Sequence, residues 1–181
     1  MEGFFTSVGE GRTLALLFAL KDSPTVLKDL KPIIPNAQTL KMRLERMERE
    51  GLVSLTVTRD GHKQVIAGLT DAGKDAAVMF STVDMLVSPG KDLEEKSIDM
   101  KHFDTVLRML HGKEYMAQKD IREVLETYYT AIRVLEKMES EGIVSREEVS
   151  EGKREIRYSL TPLGKQIAEV YQNVFSKIAR S

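Results

Sequence analysis

The chain has 181 residues, 41% apolar and 30% charged, and its 27 Lys and Arg against 28 Asp and Glu leave a net charge of −1. That length and apolar fraction support one larger or two small globular cores. With no Cys, disulfides, thiolate metal sites and cysteine catalysis are excluded; no apolar run approaches the ~18 residues of a membrane span, and the near-zero charge excludes a uniformly basic surface.

The start "MEGFFTSVGEG" lacks the basic and long apolar regions of a secretory signal, so a cytoplasmic chain with no membrane contact is expected. "RTLALLFALKD" then places Leu14, Leu17 and Leu20, with Phe18, at helical spacing. "DSPTVLKDL" reads as a second helix, with Ser23 as N-cap and Pro24 at the first position, ended by Pro32 and Pro35. A third helix is expected over residues 36–50, its inward face Ala37, Leu40, Leu44 and Met47, closed by Gly51. "LVSLTVTRDGHKQVIAGLT" is a β-hairpin turning at Asp60-Gly61, and Thr70 caps a fourth helix carrying Ala72, Ala76, Phe80 and Val83.

The polar stretch "VSPGKDLEEKS" follows, and then the order repeats. Phe103, Val106, Leu107 and Leu110 mark one helix, "QKDIREVLE" a second, and residues 127–141 a third, with Ala131, Leu135 and Met138 inward and Gly142 as cap. By the same alignment Tyr128 faces the core, as Ala37 does. A hairpin turning at Glu151-Gly152 precedes a long helix capped by Thr161, with Pro162 at its first position and apolar residues at 163, 167, 170, 171, 174, 175 and 178.

The repetition extends to individual residues. "MEREGLVS" at 47–54 returns as "MESEGIVS" at 138–145, and "LTDAGK" at 69–74 as "LTPLGK" at 160–165. From Leu44 to Val83 against Leu135 to Val174, 15 of 40 positions are identical without a gap. Two unrelated amphipathic helices would not also share the later Gly, Leu-Thr and Gly-Lys in register. An offset of 91 exceeds the ~20–50 residues of solenoid repeats, so two copies of a domain are expected.

Three helices, a glycine and a hairpin are the order of a winged helix-turn-helix. "LERMEREGLV", "LEKMESEGIV", "IAGLTDAGKDA" and above all "RYSLTPLGKQI" resemble the reading helix, wing and following helix of MarR-, PadR- and HxlR-like regulators. The resemblance implies an α+β, mainly helical fold: winged-helix domain 1 over residues 1–87, a linker at 88–98 and winged-helix domain 2 over 99–181. It implies double-stranded DNA as partner, with reading helices at 36–50 and 127–141 and wings at 52–69 and 143–160. By position the contacts would be Gln38, Thr39, Lys41, Met42, Arg43 and Arg46 in the first unit. Tyr129, Thr130, Arg133 and Lys137 would serve in the second, with His62, Lys63, Lys153 and Arg154 at the wing tips. The competing view is that such residues merely cover exposed faces with solvated charge.

The second unit is the more acidic, with Glu136, Glu139, Glu141, Glu147, Glu148, Glu151 and Glu155, and it carries Tyr129 and Ile132 near its reading helix's start. Those features suit the alternative of a non-catalytic scaffold that binds a protein partner, as tandem winged helices do in ScpB-like and polymerase-associated subunits. Neither reading needs a cofactor, a metal or catalysis. His62, His102 and His111 lack metal-ligand spacing, "VGEG" lacks the ending of a phosphate loop, and no base–nucleophile pair can be named. The broad apolar stripe of the last helix is expected to pack on the other unit or on a second chain, giving a homodimer; a monomer is the alternative, since two tandem units already mimic a dimer.

Overall fold

The computed structural model describes residues 11–58, 64–125, 127–150 and 154–178. Its elements are α1 (Thr13–Ala19), β1 (Thr25–Val26), α2 (Ala37–Arg49), β2 (Val53–Thr58), β3 (Gln64–Leu69) and α3 (Asp71–Leu86), then α4 (Phe103–Leu110), β4 (Met116–Ala117), α5 (Gln118–Val124), α6 (Tyr128–Ser140), β5 (Val144–Val149), β6 (Glu155–Leu160) and α7 (Pro162–Ile178). The strands form two antiparallel three-stranded sheets, ordered β1-β3-β2 and β4-β6-β5. Every pairing in the first sheet reappears in the second with 91 added to both partners: Thr25↔Ala67 becomes Met116↔Tyr158, and Val53↔Leu69 becomes Val144↔Leu160. The hairpin turns expected at Asp60-Gly61 and Glu151-Gly152 lie outside the described residues.

Local chemistry explains why each half turns where it does. The Asn36 side chain accepts from the Thr39 N–H at 2.9 Å and starts α2, while Gly51 at φ 73° takes the left-handed step that ends it. The Thr70 hydroxyl donates to the Gly51 carbonyl at 2.5 Å and accepts from the Gly73 N–H at 3.0 Å, tying the end of α2 to the start of α3. Thr161 repeats both bonds, to Gly142 and from Gly164. Gly73 and Gly164 are required for a different reason. A methyl group at either would run into a backbone carbonyl, of Leu52 and Ile143 respectively.

Three expectations are corrected. Residues 23–30 do not form an α-helix: Thr25 and Val26 pair with β3, and Leu27–Leu30 make one 3₁₀ turn. The β-branched pair satisfies its backbone groups in the sheet rather than in a helical turn. Tyr128 and Ala37 are both exposed, because the first residue of each helix precedes the buried stripe. Residues 88–98, expected as a linker, include the buried Lys96, Ser97 and Ile98. Lys96 Nζ donates to the Asp84 carbonyl at 2.8 Å and its carboxylate at 2.9 Å, and Ser97 donates from both its N–H and its hydroxyl to the buried Glu141 carboxylate.

The hydrophobic core is accordingly continuous between the halves. The helix α7 lies across α3 and α4, and the ring of Tyr171 meets Phe80 edge-on at 4.9 Å and Phe103 at 5.8 Å. Ile167, Tyr171 and Val174 are buried there, so that much of the α7 stripe is covered within the chain. Phe175 and Ile178, its last expected positions, lie outside the described side chains. No helix among the described residues is long and apolar enough to cross a membrane.

Candidate nucleic-acid interface

On α2, the Asn36 cap sets the first turn so that Gln38, Thr39, Lys41 and Met42 point outward, Met42 being 59% exposed. Lys41 pairs with Glu45 one turn on at 3.6 Å. Thr39, Met42, Arg46 and Arg49 line a shallow groove of about 360 Å³ together with Arg43 and Glu45. Arg43, however, is turned back: its Nη1 donates to the Gly11 carbonyl at 3.1 Å and the Thr13 hydroxyl at 2.9 Å. Arg46 is half-buried. Expected as readers, these two arginines sit at the edge of the buried stripe; Arg43 corresponds, 91 positions on, to the fully buried Val134.

On α6, the Thr127 hydroxyl accepts from the Thr130 N–H at 3.2 Å, and Tyr129 and Arg133 project outward, Tyr129 being 75% exposed. Lys137 reaches the buried Glu141 at 3.7 Å. The connector runs beside this helix. Tyr129, Thr130 and Arg133 share a groove of about 510 Å³ with Asp99 and Lys101 and, from the first half, Arg12. There Asp99 accepts from the Arg12 N–H at 2.8 Å, yet burial outweighs that bond and raises its pKa to about 6. The second wing presents Arg154, held by Glu148, which lowers the carboxylate's pKa and raises the guanidinium's. His62, Lys63 and Lys153 lie outside the described residues.

The structure also assembles a basic group that charge counting along α6 does not find. Lys119 and Arg122 on α5 line a groove of about 350 Å³ with Gln118, Arg154, Glu155 and Ile156. Glu155 is engaged by Arg157 at 2.6 Å and Arg154 by Glu148, which leaves Lys119 and Arg122 to make the groove's balance positive. The signal was present in "QKDIREVL", where Lys119 and Arg122 are three apart and share a helix face. Beside it, the Arg122 guanidinium stacks 4.0 Å over the ring of Tyr128. Among the described residues no cluster of His, Asp and Glu could hold a metal ion.

Residues 105–180 match the family model described as HxlR-like helix-turn-helix. The matched segment starts within α4 and takes in α5, α6, both wing strands and α7, so it falls on the more acidic half. No curated protein matches the chain.

Proposed function

We propose that the chain is a DNA-binding transcriptional regulator made of two winged-helix units related by duplication, with α2 and α6 as reading helices. The observation that carries this reading is the HxlR-like match over residues 105–180, which coincides with the half holding the basic groove of α5 and the wing. The unit offset of 91 in every strand pairing supports a second copy of the same machine in the first half.

In this reading Gln38, Thr39 and Met42 of α2 and Tyr129, Thr130 and Arg133 of α6 face the major groove. Lys119, Arg122 and Arg154 supply a cationic surface beside α6, as Lys41, Arg46 and Arg49 do on α2. Local patches of this kind reconcile DNA binding with a net charge of −1. The scaffold reading rests on the acidic second unit and on the exposed Tyr129, which serves DNA equally well.

The test is fluorescence anisotropy of the full chain on a random-sequence duplex, titrated with salt. About four to six phosphate contacts give log K against log salt a slope of about −4 to −5. Lys119→Ala should reduce that slope by about one. Absence of duplex binding near 50 mM salt would reject the reading.

A further inference from the structure

We propose that Arg122 and Tyr128 form a preassembled guanine-reading pair, a specificity site of the second half that lies outside the reading helix's expected contacts. The proposal rests on the DNA-binding reading above and adds to it which base is read and by what.

The geometry is that of a guanidinium placed over a ring. Arg122 belongs to α5 and Tyr128 opens α6, and the Arg122 guanidinium carbon lies 4.0 Å from the ring centroid. A guanidinium held over a ring face is restrained in position, and where the two planes lie parallel the N–H groups along its edge are directed sideways. That in-plane fork matches the O6 and N7 acceptors of guanine, which lie in the plane of the base pair in the major groove. The stack therefore settles before binding the rotamers that a long side chain otherwise loses on binding.

Two further observations separate Arg122 from an ordinary surface arginine. Arg157 makes a similar stack, 4.2 Å over Tyr115, but its guanidinium is engaged by Glu155 at 2.6 Å. Among the described residues no carboxylate pairs with Arg122. The surroundings are also unusual for a solvated face. Tyr128, Tyr129 and Val124 are 58%, 75% and 59% exposed, an apolar cluster at the junction of α5 and α6. Arg122, which lines the groove with Lys119 and Arg154, joins that apolar surface to cationic side chains through its contact with Tyr128. Duplex DNA offers the complement to both: phosphates for the cationic side chains and thymine methyl groups for the apolar ones.

The experiment is selection of bound sequences from a random duplex library by the full chain, for the wild type, Arg122→Lys, Arg122→Ala, Tyr128→Phe and Tyr128→Ala. All four substitutions fall on exposed side chains, and thermal unfolding checks that each variant folds. The wild type should select a guanine at a position where Arg122→Lys loses about 5- to 150-fold of its preference, the span of one bidentate contact. Because Lys keeps the charge, the salt slope on a random duplex should stay unchanged in that variant. Tyr128→Phe should keep the preference and Tyr128→Ala should lose it as Arg122→Lys does. Placing 7-deazaguanine at that position should weaken the wild type and leave Arg122→Lys unaffected. If Arg122→Lys keeps the full base preference while Arg122→Ala only lowers the salt slope, Arg122 is a phosphate contact and the proposal is overturned, with DNA binding intact. If the wild type binds no duplex near 50 mM salt, the regulator reading falls and this proposal with it.

Discussion

The Arg43 guanidinium is held by two oxygens at the start of α1, the Gly11 carbonyl and the Thr13 hydroxyl. Arg43→Ala is therefore expected to destabilise the fold by about 2 kcal/mol, the loss of charge-assisted hydrogen bonds, while leaving base preference unchanged. Urea unfolding and library selection measure the two effects separately. Asp99 offers a second test. Its folded pKa of about 6 lies above the ordinary 3.8, because burial disfavours the charged form. The folded protein thus holds the proton more tightly than the unfolded chain does. That contribution to stability is fully present below the ordinary value and is lost as pH rises through about 6. Asp99→Asn keeps the acceptor for Arg12 without the charge, so the difference between variant and wild-type stability should grow from pH 4 to pH 7. A constant difference across that range would show that Asp99 does not titrate there. At this scale the sequence told which residues lie on an outward helix, as it did for Thr39, Met42 and Tyr129. It did not tell where a long side chain turns: helical periodicity places Cβ atoms, whereas Arg43 reaches back across several ångströms to a partner 30 residues away.

Among elements, the junction of α2 or α6 with the next strand and the helix after the hairpin is the most constrained. Gly164→Ala would press a methyl group against the Ile143 carbonyl, and backbone cannot yield as the tip of a side chain can. A loss of about 2–3 kcal/mol is expected in thermal or chemical unfolding, at the upper end for overpacking. This junction was legible in advance because Gly, Thr and Gly recur in fixed register in both halves. The two-residue strands β1 and β4 were not, since two residues carry no period, and Pro24 beside apolar positions imitates a helix start. The burial within the connector is hidden from sequence for a related reason. Lys, Asp, Glu and Ser suggest solvated chain, but Lys96 and Ser97 are buried because Asp84 and Glu141 provide their partners.

For the whole molecule, the rings of Phe80, Phe103 and Tyr171 make one core from residues of both halves. Tyr171→Ala should cost about 3–5 kcal/mol, as large aromatic truncations do. Because the ring is shared, both halves should lose stability together in a single unfolding transition, by circular dichroism and hydrogen exchange alike. Two separate transitions would show that the halves fold independently. With Ile167, Tyr171 and Val174 buried inside the chain, sedimentation at micromolar concentration should give a monomer of about 20.4 kDa. The apolar stripe of α7 was visible in the sequence, but its partner was not, because periodicity identifies a face that must be covered without naming what covers it.

If the chain binds DNA as proposed, the anchored connector has a consequence for the target. Lys96 grips α3 and Ser97 grips the end of α6, so on the proposed reading α2 and α6 would act as the two jaws of a caliper whose opening is set when the chain folds. A duplex target would have to bring its two readable stretches to that opening, on the face of the helix that the jaws can reach. Five base pairs inserted between them would turn one stretch about half a revolution away, to the opposite side of the duplex. A chain hinged on a loose tether could follow that rotation. This one would keep only one jaw closed.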